Sequence, residues 1–149
     1  METTLILIKP DAMQRTLAGT IISRFENRGL KIIAAKLLLV SKELAEEHYG
    51  EHAGKPFFTN LVEYITSSPI MALVLAGNDA VKVTRQTIGS TDPKEASPGT
   101  IRGDYGIDLG RNLVHGSDSP ESAKREINIF FAEDDINEWI MTNEKWILE

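Results

Sequence analysis

The chain contains no cysteine, which excludes disulfides, thiolate-held metals and cysteine nucleophiles together. It has no surplus of basic residues either. The formal net charge of −6 argues against nucleic acid as a partner, because that reading needs a broad basic face; a small cationic pocket remains possible. Long apolar runs are also missing: Lys31 and Lys36 interrupt the longest one, so no membrane span and no membrane partner are expected. The N-terminus lacks the basic start and apolar core of a signal peptide. There are no repeats, low-complexity tracts or Pro/Gly/Ser linkers, and neither a GxxxxGK[ST] phosphate loop nor a dinucleotide fingerprint. These absences describe one cytoplasmic domain over residues 1–149.

What is present alternates between strand and helix patterns. Thr4–Ile8 is a short apolar run suited to a strand buried on both faces, ended by Lys9-Pro10-Asp11. Leu17, Ile21, Ile22 and Phe25 form a helical stripe that Gly29 closes. Residues 30–40 read as a second strand, and Ser41 caps a helix after it. A further helical piece spans residues 56–67, and residues 70–76 form a third strand. Asn78 or Asp79 caps a helix that Gly89 closes; Leu113 and Val114 lead a fourth strand, followed by a helix over 120–131. Without the helical insertion near residues 41–67 the order is β-α-β-β-α-β. That order predicts an α+β sandwich of ferredoxin-like type, with helices on one face of a four-stranded antiparallel sheet. Between Gly89 and Asn112, four glycines and two prolines punctuate a stretch with no evident regular element. A loop this long, with ordinary hydrophobicity, predicts an ordered functional segment.

The segment Asn112-Leu113-Val114-His115-Gly116-Ser117-Asp118-Ser119 carries the chemistry. His115 ends an apolar run just before a helix start at which Asp118 or Ser119 caps, Pro120 fits the first position and Glu121 follows. An imidazole beside open N–H groups and a positive helix terminus is placed to meet a phosphate. Cations recur at element ends: Lys9, Arg85, Arg102 and Arg111. Arginine suits bidentate phosphate contact, whereas lysine acts as a mobile point charge. Glu126 borders the apolar stripe of Ala123, Ile127, Phe130 and Phe131. From there it could orient His115 through one ring nitrogen and leave the other as nucleophile. His48 and His52 share i, i+4 spacing, but Gly50 intervenes and no third ligand completes a metal site, so a solvated helix end is expected. His115 and Ser117 do not make a hydrolase pair, since side chains two apart on a strand share a face without forming a triad. Phe57 and Leu61 are either core or a base-stacking face.

Taken together, these residues resemble the nucleoside diphosphate kinase family. The matching pieces are IKPDA at 8–12, GTIRGDYG at 99–106, NLVHGSDS at 112–119 and ESAKREI at 121–127, in order along essentially the whole chain. The resemblance implies a ping-pong transfer. His115 takes the γ-phosphate of a nucleoside triphosphate, typically ATP, and hands it to a nucleoside diphosphate of broad base identity, maintaining nucleotide pools. It also implies that Lys9, Arg85 and Arg102 hold phosphates with help from Thr91, and that Asn112 and Lys9 contact the sugar. Phe57 stacks on the base, Leu61 lines the pocket, and Leu109 takes a base-pocket position where valine is common. Glu126 orients His115, with Tyr49 and Ser117 completing its surroundings. Mg²⁺ arrives on the nucleotide's phosphates without a dedicated protein ligand, Asp118 at most touching it through water. Ala12 departs from the glycine that often follows KPD. The apolar C-terminal run with Pro93 points to a homohexamer, a homotetramer being the alternative. The competing reading is a nucleotide-binding or phosphohistidine-carrier protein that lost turnover.

Overall fold

Strand β1 (Glu2–Ile8) divides its side chains between two cores, Leu5 and Leu7 into one and Ile6 and Ile8 into the other. The computed structural model describes all residues 1–149. Along the chain follow α1 (Pro10–Gln14), α2 (Ala18–Asn27), β2 (Lys31–Leu38), α3 (Lys42–His48), α4 (Phe58–Ile65), β3 (Ile70–Gly77), α5 (Ala80–Ile88), α6 (Ile101–Tyr105), β4 (Val114–Gly116) and α7 (Pro120–Phe130). The sheet order is β2-β3-β1-β4, and every neighbouring pair is antiparallel. This is the ferredoxin-like α+β arrangement, with α3 and α4 inserted between β2 and β3. No helix is long and apolar enough to cross a membrane.

The helices cover both faces, which corrects the one-face expectation. Ala12, Ile21, Phe25, Ala80, Ile88 and Ile101, from α1, α2, α5 and α6, pack with Ile6 and Ile8. On the opposite face, Ala45, Val62, Ile65 and Phe130, from α3, α4 and α7, pack with Leu5 and Leu7. The inserted helices and the last helix therefore supply the second layer, which the apolar Leu5–Ile8 half of the central strand requires.

Local signals account for the ends. Ser41 Oγ accepts from Leu44 N at 3.1 Å, and Ser119 Oγ from Ser122 N at 3.1 Å, so Ser119 rather than Asp118 caps α7. Asp79 occupies the cap position of α5 but makes no side-chain cap; Glu2 Oε1 accepts from Val81 N at 2.8 Å instead. Two short helices escaped the sequence reading. Pro10 opens α1 at its first position, and Thr100 Oγ1 accepts from Gly103 N at 3.0 Å to cap α6 inside the long loop. The C-terminal run folds back onto the edge strand β2. Asn137 N donates to Ile33 O at 2.8 Å and Trp139 Nε1 to Ile32 O at 2.8 Å, while Ile140 and Trp146 stay exposed.

Candidate active site

β4 is three residues long and pairs with the buried strand β1, His115 opposite Leu7. The strand lies close against α5: a Cβ on Gly116 would come within 2.7 Å of Ile88 Cδ1. Next to this fixed strand, α7 turns Glu126 inward. His115 Nε2 lies 3.0 Å from Glu126 Oε1 and 3.1 Å from Oε2, and Ser117 Oγ donates to Oε2 at 2.7 Å. Glu126 and Ser117 are buried, while the His115 side chain retains 25 % exposure. Burial alone would raise the Glu126 pKa. The hydrogen bond and charge of His115, the Ser117 hydroxyl and His48 outweigh it, and the carboxyl lies below its ordinary value. A carboxylate that accepts from Nε2–H leaves Nδ1 unprotonated and nucleophilic.

His48 is a correction. The expected solvated helix end is a buried ring, packed edge-on to His115 at 5.0 Å and 90° and against Phe130 at 5.3 Å. Tyr49, also buried, adjoins it at 4.7 Å. Burial first, then the neighbouring His115 ring, brings the His48 pKa down to about 3, so the His48 ring is neutral. His48, His115 and Glu126 bring ligand-type atoms within 4.8 Å of one another. Both Glu126 oxygens, however, already hold His115 and Ser117. His52 stays near the surface beside Phe57, at 5.3 Å.

The cations fall into two kinds. Lys9 Nζ donates to Asn112 Oδ1 at 2.8 Å, and Asn112 Nδ2 to Thr91 O at 3.1 Å. Burial, then the charge of Arg102, lowers the Lys9 ammonium to about 8. Arg85 is exposed and donates to Gly116 O at 3.0 Å. Arg102 is buried, and its Nε, Nη1 and Nη2 donate to Asn112 O, Gly89 O and Val114 O at 3.0, 3.2 and 2.6 Å. Desolvation, then Arg85, lowers its pKa to about 10. Its guanidinium thus binds the strand that carries His115, and only its remaining N–H groups are free for a phosphate. Arg111 leaves the cation group: it lies over the Tyr64 ring at 4.5 Å.

Phe57 is 46 % exposed at the start of α4, Leu61 is half-buried one turn on, and Leu109 projects from the long loop at 55 % exposure. A cavity of about 720 Å³ is bordered by Arg85, Ser90, Thr100 and Asp118, and His115 does not line it. The sequence reading missed His48, and also Asp11 and Tyr64, whose hydroxyl donates to the Asp11 carboxylate. Only Asp11 carried a signal, lying in the IKPDA motif.

The whole chain has close relatives. The family profile described as nucleoside diphosphate kinase matches residues 2–136. A nucleoside diphosphate kinase of Archaeoglobus fulgidus is 55 % identical over 149 residues, covering 100 % of this chain and 99 % of its own length. One from Pelotomaculum thermopropionicum is 56 % identical over 149 residues, with full coverage of both. Among solved structures, a halophilic nucleoside diphosphate kinase from Halobacterium salinarum in complex with CDP matches with a TM-score of 0.97. It is 48 % identical, with 99 % of each chain covered.

Proposed function

The chain belongs to the nucleoside diphosphate kinase family and transfers phosphate from nucleoside triphosphates to nucleoside diphosphates, and on that premise we propose that His115 Nδ1 is the atom that carries the phosphoryl group. The observation supporting this is the Glu126 carboxylate on Nε2. The Nδ1 lone pair attacks Pγ, the bond from Pγ to the β,γ-bridging oxygen breaks, and the diphosphate leaves with the electron pair. The ring, phosphorylated on Nδ1 and still protonated on Nε2, is then cationic, and Glu126 balances that charge. A terminal phosphate oxygen of a second diphosphate reverses the step. Atoms and charge balance without an added base.

Phosphoryl transfer asks a protein mainly for positioning and for cations on the equatorial oxygens. Lys9, Arg85 and the free N–H groups of Arg102 supply these, with Thr91 at the mouth of the loop. Asn112, joined to Lys9, takes the sugar. Phe57 stacks on the base, and Leu61 and Leu109 border it, which supports broad base tolerance because stacking reads shape. Tyr49 and Ser117 hold the surroundings of His115. Mg²⁺ enters as part of the nucleotide, neutralising its phosphates, and the exposed Asp118 beside the helix start is suited to a water-mediated contact. Residues 1–149 act as one cytoplasmic domain. The exposed Ile140 and Trp146 favour burial against another copy in a homohexamer, with a homotetramer as the alternative that light scattering distinguishes. No observation favours a carrier without turnover: His115 and the cations are all present.

Incubation with MgATP alone is expected to give an acid-labile, base-stable phosphoprotein that a second nucleoside diphosphate discharges. Transfer at the wild-type rate by His115→Ala would remove His115 from the mechanism. Phosphorylation that no diphosphate discharges would favour the carrier.

A further inference from the structure

Two residues before His115 the backbone takes a conformation that leucine rarely adopts. Leu113 has φ +74°, and Val114 N donates across it to Asn112 O at 2.8 Å. A positive φ with an i to i+2 hydrogen bond is the strained form of γ-turn. Such a turn persists only where its surroundings over-determine it. Here they do so from four directions. The Leu113 side chain is fully buried, and its carbonyl accepts from Lys9 N at 2.9 Å. Arg102 holds the carbonyls of Asn112 and Val114 on either side. The Leu113 N–H, just before the edge strand β4, donates to Asp11 Oδ2 at 3.1 Å.

Asp11 is itself held. The Tyr64 hydroxyl donates to its other oxygen, Oδ1, and Arg111 covers the Tyr64 ring. The clamp thus joins α1, α4 and the strand bearing His115. Its partners are separated by 102 and 53 residues in sequence.

We propose that Asp11, seated by Tyr64, is a positioning residue for phosphoryl transfer: its carboxylate fixes the Leu113 turn, and the turn sets Asn112 with its Lys9 partner on one side and His115 on the other. The consequence is chemical because displacements near 1 Å at a reacting centre cost on the order of 10²-fold in rate. A clamp serving only stability would lower the melting temperature and leave the folded enzyme's rate alone. The proposal rests on His115 as the nucleophile.

The test is single-turnover phosphorylation by MgATP, with steady-state kcat and KM, at a temperature where circular dichroism shows each variant folded. Asp11→Ala is expected to slow phosphoenzyme formation and kcat about tenfold or more, with a smaller rise in KM. Asp11→Asn keeps both contacts, its amide oxygen accepting from Leu113 N and its NH₂ donating to the Tyr64 oxygen, and is expected to stay within about threefold of wild type. A wild-type rate in folded Asp11→Ala overturns the proposal, and so does an Asp11→Asn variant as slow as Asp11→Ala. If Asp11→Ala does not fold, Tyr64→Phe decides: a loss of about threefold supports the clamp, and an unchanged rate overturns it. Wild-type enzyme in parallel separates the two readings. Absence of a phosphohistidine there removes the His115 reading itself, whereas a labelled wild type beside an equally fast Asp11→Ala removes the clamp alone.

Discussion

Glu126 brackets Nε2 of His115 with both carboxylate oxygens, at 3.0 and 3.1 Å, while Ser117 Oγ donates to one of them at 2.7 Å. Ser117 Oγ also accepts from Leu5 N at 3.3 Å, so its proton is committed to Glu126. In Glu126→Gln the amide oxygen would stay with Ser117, which turns the NH₂ toward Nε2. The imidazole proton would then move to Nδ1 and block the nucleophile. Glu126→Gln is expected to slow phosphoenzyme formation by about 10²-fold or more, the scale of a wrong-tautomer effect. Rapid-quench labelling with MgATP checks it, and a rate within threefold of wild type would mean that Glu126 does not set the tautomer.

Much of this site is legible in sequence because motif order brings His115, Lys9, Arg102 and Glu126 forward together, and the apolar stripe of α7 places Glu126 inward. The remainder depends on distances that spacing does not contain. His48 looks exposed beside Gly50 and His52, yet α3 packs it onto α7. The Asp11–Tyr64 pair joins residues whose separation along the chain carries no period. Both missed helices are five residues long, too short for an apolar stripe, although Pro10 at a first position and Thr100 three residues before Gly103 are start signals that were there to be used. The one-face expectation failed because β1, apolar from Leu5 to Ile8, needed cover on both sides.

Arg102 and Arg85 should separate when each is cut to alanine. Removing Arg102 takes its guanidinium donors from the carbonyls of Gly89 and Val114 and leaves that of Asn112 with Val114 N alone, at a cost of about 3 kcal/mol of stability. Arg85 is exposed, and its loss should change stability by about 0.5 kcal/mol or less. Both variants should slow transfer. Thermal melts beside kinetics check this, and equal melting temperatures would contradict the structural half of the Arg102 assignment.

Lys9 gives the enzyme an alkaline limb. Its ammonium, lowered to about 8 by burial and Arg102, loses its charge as pH rises through that value. The unliganded enzyme then presents one cation fewer to phosphate. Bound nucleotide raises the lysine again, so the limb should appear in kcat/KM and not in kcat. Lys9→Arg should move the limb upward by more than one pH unit, because guanidinium keeps its charge. A limb unmoved by this change would belong to another group.

His48 should make stability acid-sensitive. Its folded pKa of about 3 lies below the ordinary 6.5, so the folded state binds fewer protons than the unfolded chain between those values. The contribution is fully present above pH 6.5 and declines as pH falls, by up to about 1.4 kcal/mol per unit. His115, Glu126, Arg125 and Lys9 supply the charges around the ring. Glu126, whose pKa is lowered, acts in the same sense but only below its ordinary 4.5. Denaturant melts of wild type and His48→Phe from pH 7 to 5 isolate the histidine, and the variant's curve should be the flatter one. Parallel curves would show that His48 does not carry this dependence.

Phe57 projects from the start of α4 with its ring half open and the His52 ring 5.3 Å behind it. A platform of that kind offers a base its face and no hydrogen-bond donor or acceptor. Phe57→Ala should therefore raise KM about tenfold for adenine, guanine, cytosine and uracil diphosphates alike, the value of one lost base stack. Its kcat should change less, because the ring does not touch the reacting phosphate. A KM increase confined to one base would mean that base edges are read by polar contacts, and the stacking assignment of Phe57 would fail.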